Sequence, residues 1–423
     1  MPAPRPGRAA RRPTGPCGGR RRVLGDERQP EEDEHLAGAV VTSGLVHFGR
    51  AGASVVAARR CSSRVLTKER GFAASLYPVL ATPFTDADAR IDAQAAAGGA
   101  AWAAAHAAGD PVRAAAHFRR AADEYAGALQ LVALSSEPER AGALWRRQRD
   151  CWERVVDLVP GERVAIPYEA TTLPGFFFRA AGAAAGEPRP LVLINRGCEE
   201  PTSAALALGG AAAAARGYHW LTFDGPGQQA ALVEQGLTAR PDWEHVLTPV
   251  VETMLAREDV DPGRLAVIGA GQAGLLVPRA LAFEHRFAAA AVDPGIVDLG
   301  APCAEQLPRG LRADLRRGDA GAFDRALHVD ELLSPALTVR LDEHAAPFGL
   351  RGCSRFDLFC AVARYRLGSE LDGVRTPLLV VDREGDRRWP GQSRALFDRL
   401  PGAKRLVGVG ESHVFEWLDA HLA

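Results

Sequence analysis

Short apolar runs alternate with amphipathic segments along the C-terminal part of the chain, residues 161–423. These runs precede turns that contain Gly, which predicts buried strands at PLVLIN, HWLTFD, RLAVIG, AAAAVD and PLLVVD. The two preceding segments, RVAIPYEA and LPGFFFRA, predict a hairpin. Strands that alternate with helices are typical of a mostly parallel sheet with helices on both faces. The pattern therefore predicts an α/β fold for this region.

Two other regions carry a helical pattern. In residues 90–160, apolar positions recur every three or four residues, and turn signals at Gly109-Asp110 and Ser135-Ser136 separate two or three antiparallel helices. The spacing leaves open whether this segment is a packing appendage or a cap over a substrate. From about residue 299 to residue 373 the strand pattern stops and helical pieces replace it. We expect this insertion to form a lid.

Residues 1–75 lack a sustained hydrophobic period. They begin with an Arg- and Pro-rich stretch, continue with the acidic patch EEDE and end in short apolar pieces. Such a composition offers little surface to bury against a core. We expect a disordered N-terminal extension, and the alternative is a start site placed upstream of the true one.

Composition excludes several classes of protein. The chain has 423 residues and is 47% hydrophobic, so it can bury a large core, but no apolar run approaches the roughly 18 residues of a membrane span. Its 51 basic and 52 acidic residues leave no basic footprint for nucleic acid. The seven cysteines are scattered without a C-x-x-C pair, which favours a reducing cytoplasm and no zinc site. Asp242, Glu244 and His245 do not converge on one helix face, so we expect neither a metal nor a cofactor.

The segment RLAVIGAGQAGLLVPR reads as a strand, a tight turn of small residues and a helix. A strand, G-x-S-x-G and a helix form the nucleophile elbow of α/β-hydrolases, and this register places Gly271 at the nucleophile position. GAGQAG also satisfies the dinucleotide-binding pattern G-x-G-x-x-G, with Asp293 as the downstream acid. That pattern belongs in the first strand-turn-helix of its unit, whereas this turn follows three earlier strands. The hydrolase interpretation is therefore favoured.

Several long motifs carry a family resemblance: PYEATTLPGFFFR, GGAAAAARGYHWLTFDGPGQQAAL, RPDWEHVLTPVVETML, VDPGRLAVIGAGQAGLLVPRALAFEH and VDREGDRRWPGQSRALFDRLPG. From about Ala93 to Ala423 the chain resembles the α/β-hydrolase family that contains fungal pigment polyketide-shortening hydrolases and bacterial 2,6-dihydroxypseudooxynicotine hydrolases. The resemblance implies a helical cap, a hydrolase core and a Ser-Asp-His triad that cleaves esters or activated C–C bonds next to a ketone.

Carried onto this chain, the triad lacks its nucleophile, because Gly271 has no side chain. Gly271 is either the natural residue or an engineered replacement that traps a substrate. The resemblance implies Asp386 as the acid, with Asp382 as the runner-up and an ordinary acidic turn as the alternative. It implies His413 as the base. The family carries a longer loop and helix after this histidine, so the alternative is that a deletion removed the true base and His413 only begins the terminal helix.

The oxyanion hole is expected to consist of the backbone N–H groups of Gln272 and Cys198. Cys198 as a substitute nucleophile is disfavoured, because its thiol would have to reach across the site to His413. For substrate binding we expect Asp224, Trp389 and Tyr365. The alternatives are that Asp224 caps a turn and that the two aromatic rings only pack.

These observations predict a hydrolase-family protein that acts on an ester or an activated C–C bond of a small or polyketide-like molecule. Because residue 271 is Gly, its mechanism is expected to be impaired or non-covalent. One alternative is an inactive pseudo-hydrolase that binds a ligand or acts as a scaffold. The other is a cyclase or lyase with His413 and Asp386 as acid and base. A small molecule is the expected partner, and a homodimer is left open.

Overall fold

The computed structural model describes residues 86–184 and 186–423. The predicted extension, residues 1–75, lies outside the described residues. The described residues contain one eight-stranded sheet. Its strands are β1 (Gly161–Tyr168), β2 (Thr171–Phe178), β3 (Arg189–Asn195), β4 (His219–Phe223), β5 (Val260–Ala270), β6 (Ala289–Asp293), β7 (Leu378–Asp382) and β8 (Lys404–Gly408).

The strand order is β1-β2-β4-β3-β5-β6-β7-β8. The β1–β2 hairpin is antiparallel and β2 pairs antiparallel with β4, whereas every pairing from β4 to β8 is parallel. The central strands β3 and β6 are buried along almost their whole length, because helices cover both faces of the sheet. The predicted α/β architecture is confirmed. In a parallel sheet the loops that follow the strands meet at one edge, and this edge carries the candidate site.

Within residues 86–160, three α-helices precede the sheet: α1 (Ala87–Ala107), α2 (Pro111–Val132) and α3 (Ala141–Leu158). Helix α2 starts sharply, because Asp110 accepts the N–H of Arg113 at 2.9 Å and Pro111 occupies the first turn. Helix α3 buries Trp152 against the rings of Phe176 and Phe178 on β2, with centroids 6.0 and 5.9 Å apart. The segment is thus packed on the face of the sheet.

The helices of the core lie between the strands and after them. They are α4 (Gly210–Ala215), α5 (Gln229–Val233), α6 (Glu244–Leu255), α7 (Ala273–Leu281), α13 (Gln392–Arg399) and α14 (Glu411–Leu422). Among the described residues, no helix has the length and apolar character needed to cross a membrane.

Between β6 and β7 the chain leaves the sheet for a helical insertion. Its helices are α8 (Gly300–Gln306), α9 (Arg309–Arg317), α10 (Ala320–Leu333), α11 (Pro335–Ala345) and α12 (Arg355–Ala363). They share a small core of their own that includes Phe323, Leu341 and Phe359. The two ends of the insertion are joined, because Leu299 N–H donates to the carbonyl of Tyr365 at 2.9 Å. The insertion is therefore a closed unit seated on the sheet edge.

Candidate active site

The turn between β5 and α7 has the geometry of a nucleophile elbow. Gly271 lies in the left-handed region, with φ +60°, and its N–H donates to the carbonyl of Asp293 at 2.9 Å. A Cβ on Gly269 would lie 2.6 Å from the carbonyl oxygen of Ala273, and a Cβ on Gly274 would collide with the carbonyl of Pro294. The small residues therefore allow the strand and helix to approach each other as an elbow requires. At the nucleophile position itself there is no side chain.

The carboxyl group of Glu200 fills the space next to this turn. A Cβ built on Gly271 would fall inside contact distance of Glu200 Oε1. A Cβ on Gly197 would lie 2.5 Å from Glu200 Oε2 and 3.1 Å from the backbone nitrogen of Gln272. The carboxyl group therefore lies between two glycines, at the position that a nucleophilic side chain would occupy. Glu200 was not among the predicted site residues, because its only signal in the sequence is an acidic pair in the turn after β3.

The main chain of Glu200 is held firmly. Its carbonyl oxygen accepts hydrogen bonds from Arg196 Nη1 at 2.8 Å and from Gln229 Nε2 at 3.2 Å. Its Oε2 is buried and has no hydrogen-bond partner among the described residues. Burial raises the pKa of the Glu200 carboxyl, and the charge of Glu199 raises it further. The site thus contains a half-buried carboxyl group whose pKa lies above its ordinary value.

One of the two expected oxyanion donors already has a hydrogen-bond acceptor. The N–H of Cys198 donates to the side-chain oxygen of Gln272 at 3.3 Å. This bond is long, so a better acceptor can replace it. Burial raises the pKa of the Cys198 thiol to about 12. The thiol is therefore protonated at neutral pH, which agrees with the expectation that Cys198 is not a nucleophile.

A pocket lies between the elbow and the lid insertion. Together with the open solvent at its mouth, it encloses about 830 Å³ of space not filled by protein atoms. Gln272 from the elbow and Trp389 from the loop after β7 line it, as do apolar lid residues: Leu299, Leu341, Phe348, Leu358, Phe359 and Val362. Among the described residues that line this pocket, none comes from the three N-terminal helices. The helical insertion, and not the N-terminal helices, lines this pocket.

One wall of the pocket is polar. Glu199 and Arg388 form an ion pair at 2.6 Å, and the guanidinium of Arg388 stacks 4.3 Å from the ring centre of Trp389. His344 on α11 also lines the pocket, and burial lowers the pKa of its imidazole. Burial raises the pKa of the neighbouring Glu343 carboxyl. Sequence analysis missed His344 and Glu343, because the helical pattern of the lid gives no indication of which face meets the sheet.

Asp386 lies in the loop after β7 and stabilises its own turn. Its Oδ1 accepts the backbone N–H groups of Arg388 at 2.7 Å and Trp389 at 3.1 Å. The runner-up, Asp382, forms an ion pair with Arg394 at 2.8 Å. Asp386 thus positions two pocket residues, whether or not it has a further role. Its catalytic role stays a prediction.

His413 lies in the first turn of α14, after β8. The carboxylate paired with its Nδ1 is Glu416, at 3.8 Å. Among the described residues no hydrogen bond joins His413 to Asp386, and its Nδ1 has no hydrogen-bond partner. The structure therefore places both predicted residues at the carboxyl edge of the sheet without linking them. The role of His413 as base stays a prediction.

Asp224, one of the residues expected to bind substrate, lies away from the pocket. Asp224 is fully buried, accepts hydrogen bonds from Arg196, Arg149 and Thr202, and does not line the pocket. Burial alone would raise the pKa of Asp224, but the two arginines hold it below its ordinary value. This residue is a structural ion-pair partner.

Tyr365 lies closer to the pocket. Its ring meets the ring of Phe348, a lining residue, edge to face at 5.4 Å. Its hydroxyl is buried without a hydrogen-bond partner among the described residues, and burial raises its pKa. The donor is therefore unused in this structure. A binding role for Tyr365 stays a prediction.

The described residues contain no cluster of three or more His, Cys, Asp or Glu side chains that could hold a metal ion.

Comparison with known proteins agrees with this architecture. No family model matches the chain. It is 35% identical over 192 residues to hydrolase acrC of Aspergillus aculeatus, covering 41% of this chain and 45% of that protein. It is 34% identical over 203 residues to hydrolase LUC6 of Fusarium sp, covering 46% of this chain and 48% of that protein. The chain thus spans about half the length of these curated relatives.

Among solved structures, the chain is similar to the 2,6-dihydroxy-pseudo-oxynicotine hydrolase, with a TM-score of 0.61 and 16% sequence identity. The match covers 79% of this chain and 89% of that structure. At this identity the likeness establishes the fold. The chain is an α/β-hydrolase-fold protein. In sequence, about two fifths of it is similar to fungal proteins described as hydrolases.

Proposed function

We propose that the protein hydrolyses an ester, or an activated C–C bond next to a ketone, without forming an acyl-enzyme at residue 271. The observation that carries this proposal is the elbow itself. Gly271 supplies no nucleophile, and the Glu200 carboxyl fills the adjacent space. A covalent serine mechanism therefore has neither its attacking atom nor room for it. Direct attack of water on a bound carbonyl is the hydrolytic route that remains.

The pocket supports a small, largely apolar substrate with one polar end. Lid side chains such as Leu341 and Phe359 would bury its hydrocarbon part, and the Glu199–Arg388 pair would meet the polar end. The carbonyl oxygen would displace the side chain of Gln272 from the N–H of Cys198. That N–H and the N–H of Gln272 would then stabilise the developing oxyanion.

A second candidate is a protein that binds the same class of ligand without turnover. One observation favours it, namely that the Gln272 side chain already caps the N–H of Cys198. The cyclase or lyase alternative, with Asp386 and His413 as acid and base, gains no support from a contact between these two residues.

Turnover measured together with intact mass tests the proposal. The full 423-residue chain is incubated with 4-nitrophenyl butyrate and with benzoylacetone, and quenched samples are weighed by mass spectrometry. We expect products to form while the protein mass stays unchanged. We also expect Gln272→Ala to raise the rate by freeing the N–H of Cys198, and Gln235→Ala, an exposed glutamine, to leave it unchanged. An acyl adduct would contradict the proposed route, and binding without any turnover would favour the second candidate.

A further inference from the structure

We propose that Glu200 is the catalytic acid–base group of this site, which takes a proton from the attacking water and returns it to the leaving group. This inference rests on the proposed hydrolytic function. The proton transfers of the reaction are thereby assigned to a residue outside the three triad positions. Water would thus replace the absent serine as the nucleophile, and a carboxyl group on a neighbouring loop would carry out the proton transfers.

The carboxyl group of Glu200 lies at the elbow. Oε1 of Glu200 lies against Gly271, and Oε2 lies against Gly197 near the backbone nitrogen of Gln272. A carbonyl carbon bound to the oxyanion donors would therefore lie next to this carboxyl group. The two hydrogen bonds to the carbonyl oxygen of Glu200 fix the main chain that carries it. The main chain thus holds the side chain of Glu200 at the site, where a proton-transfer group must lie within reach of the reacting atoms.

One carboxyl oxygen of Glu200 accepts no hydrogen bond within the described part of the chain. Oε2 is buried and has no partner among the described residues, although leaving a buried carboxyl oxygen unpaired costs free energy. A group that only filled space would be more stable as an apolar side chain or with its hydrogen bonds made. Retention of an unsatisfied carboxyl group at the elbow is typical of a group that engages water or substrate.

The surroundings of Glu200 raise the proton affinity of its carboxyl group. Burial and the adjacent Glu199 carboxylate raise the pKa of Glu200, whereas Arg388 and Arg196 oppose that rise. Arg383 also faces this carboxyl group. A carboxyl group with a raised pKa can accept a proton and release it within one turnover.

The proposed step balances without a cofactor. Water oxygen attacks the carbonyl carbon while ionised Glu200 takes one water proton, and the oxyanion forms against the N–H groups of Cys198 and Gln272. When the tetrahedral intermediate collapses, the C–O or C–C bond breaks, and protonated Glu200 gives its proton to the departing oxygen or carbon. The products are a carboxylic acid and an alcohol or ketone, and Glu200 returns to its ionised form.

Paired variants test this role. Rates with 4-nitrophenyl butyrate and benzoylacetone are measured against pH for the full chain, for Glu200→Gln and for Glu258→Gln. Glu258 is an exposed carboxylate just before β5, at the opposite edge of the sheet. We expect Glu200→Gln to lower kcat roughly 100-fold or more, with KM changed less than about threefold, and to remove the acidic limb of the pH profile. Glu258→Gln should leave kcat and the profile unchanged.

The outcomes separate this inference from the proposed function. A wild type that turns over both probes, together with a Glu200→Gln variant that keeps its rate and pH profile, overturns the role of Glu200 and leaves hydrolysis standing. An inert wild type overturns both. If Glu200→Gln does not fold, Glu200→Asp replaces it. This variant keeps the acid but withdraws it by one methylene, so we expect a reduced rate with the acidic limb retained, and an unchanged rate would overturn the role.

Discussion

Arg149 on α3 donates to Asp224 in the turn after β4, with Nη1 and Oδ2 2.7 Å apart. The side chains are 9% and 0% exposed. Arg196, which follows β3, donates to the other carboxylate oxygen at 2.6 Å. One buried carboxylate therefore joins the N-terminal helical segment to two loops at the active edge of the sheet. The segment is tied to the core by charge as well as by packing.

We expect Asp224→Ala to destabilise the protein by about 3–5 kcal/mol, because it leaves two arginines buried without their partner. Chemical denaturation followed by circular dichroism measures this loss. The matched control is Asp261→Ala, which removes a partly exposed pair with Arg264 and should cost under about 1 kcal/mol. Equal losses in the two variants would show that Asp224 does not hold the segment.

Asp386 gives a second stability prediction. Asp386→Ala removes the acceptor of two backbone N–H groups and should cost about 1–2 kcal/mol. It should also weaken ligand binding, because the loop carries Arg388 and Trp389. Asp386→Asn keeps an oxygen acceptor and should retain most of the stability. If Asp386→Ala unfolds at the same denaturant concentration as the wild type, the turn does not depend on this carboxylate.

The dependence of stability on pH follows from Asp123 on α2. Burial raises the pKa of this carboxyl to about 6 from its ordinary value, although Arg119 opposes the rise. Because the folded state binds the proton more tightly than the unfolded state, this contribution is full below about pH 4 and is lost as pH rises through about 6. About 35% of the side chain is exposed, so solvent screening limits the loss to about 1 kcal/mol.

Asp123→Asn should remove this loss. The free energy of unfolding of the variant, relative to the wild type, is expected to rise between pH 4 and pH 6.5 by about 1 kcal/mol. Denaturation curves at several pH values measure the difference, with Asp150→Asn, an exposed position on α3, as the control. A difference that stays constant over this range, or falls, would contradict the predicted sign.

The sheet and the elbow could be predicted from the sequence because their signals are local. In RLAVIG, apolar residues follow Arg264 without a break and small residues come next, so β5 and the position of Gly271 follow from neighbouring residues alone. The paired β1–β2 hairpin is equally local. Fold and nucleophile position therefore needed no knowledge of tertiary contacts.

The position of the Glu200 carboxyl beside the elbow could not be predicted from neighbouring residues alone. Glu200 meets Gly271 only because β3 and β5 are neighbours in the sheet, and the approach of its carboxyl depends on a side-chain rotamer. The hydrogen bond from the N–H of Cys198 to the side chain of Gln272 likewise depends on a contact between these two loops. His344 lies on a lid helix whose orientation is set by packing against the sheet edge. These relationships are tertiary, and no residue pattern encodes them.

Labelling by a fluorophosphonate, followed by intact mass, tests the central claim most directly. We compare the wild type, Gly271→Ser and the double variant Gly271→Ser with Glu200→Gly. We expect no adduct on the wild type and an adduct at residue 271 that forms faster in the double variant, where the new side chain has room. An adduct on the wild type would contradict the claim that the elbow has no covalent nucleophile. Equal labelling of the two serine variants would contradict the claim that Glu200 occupies its place.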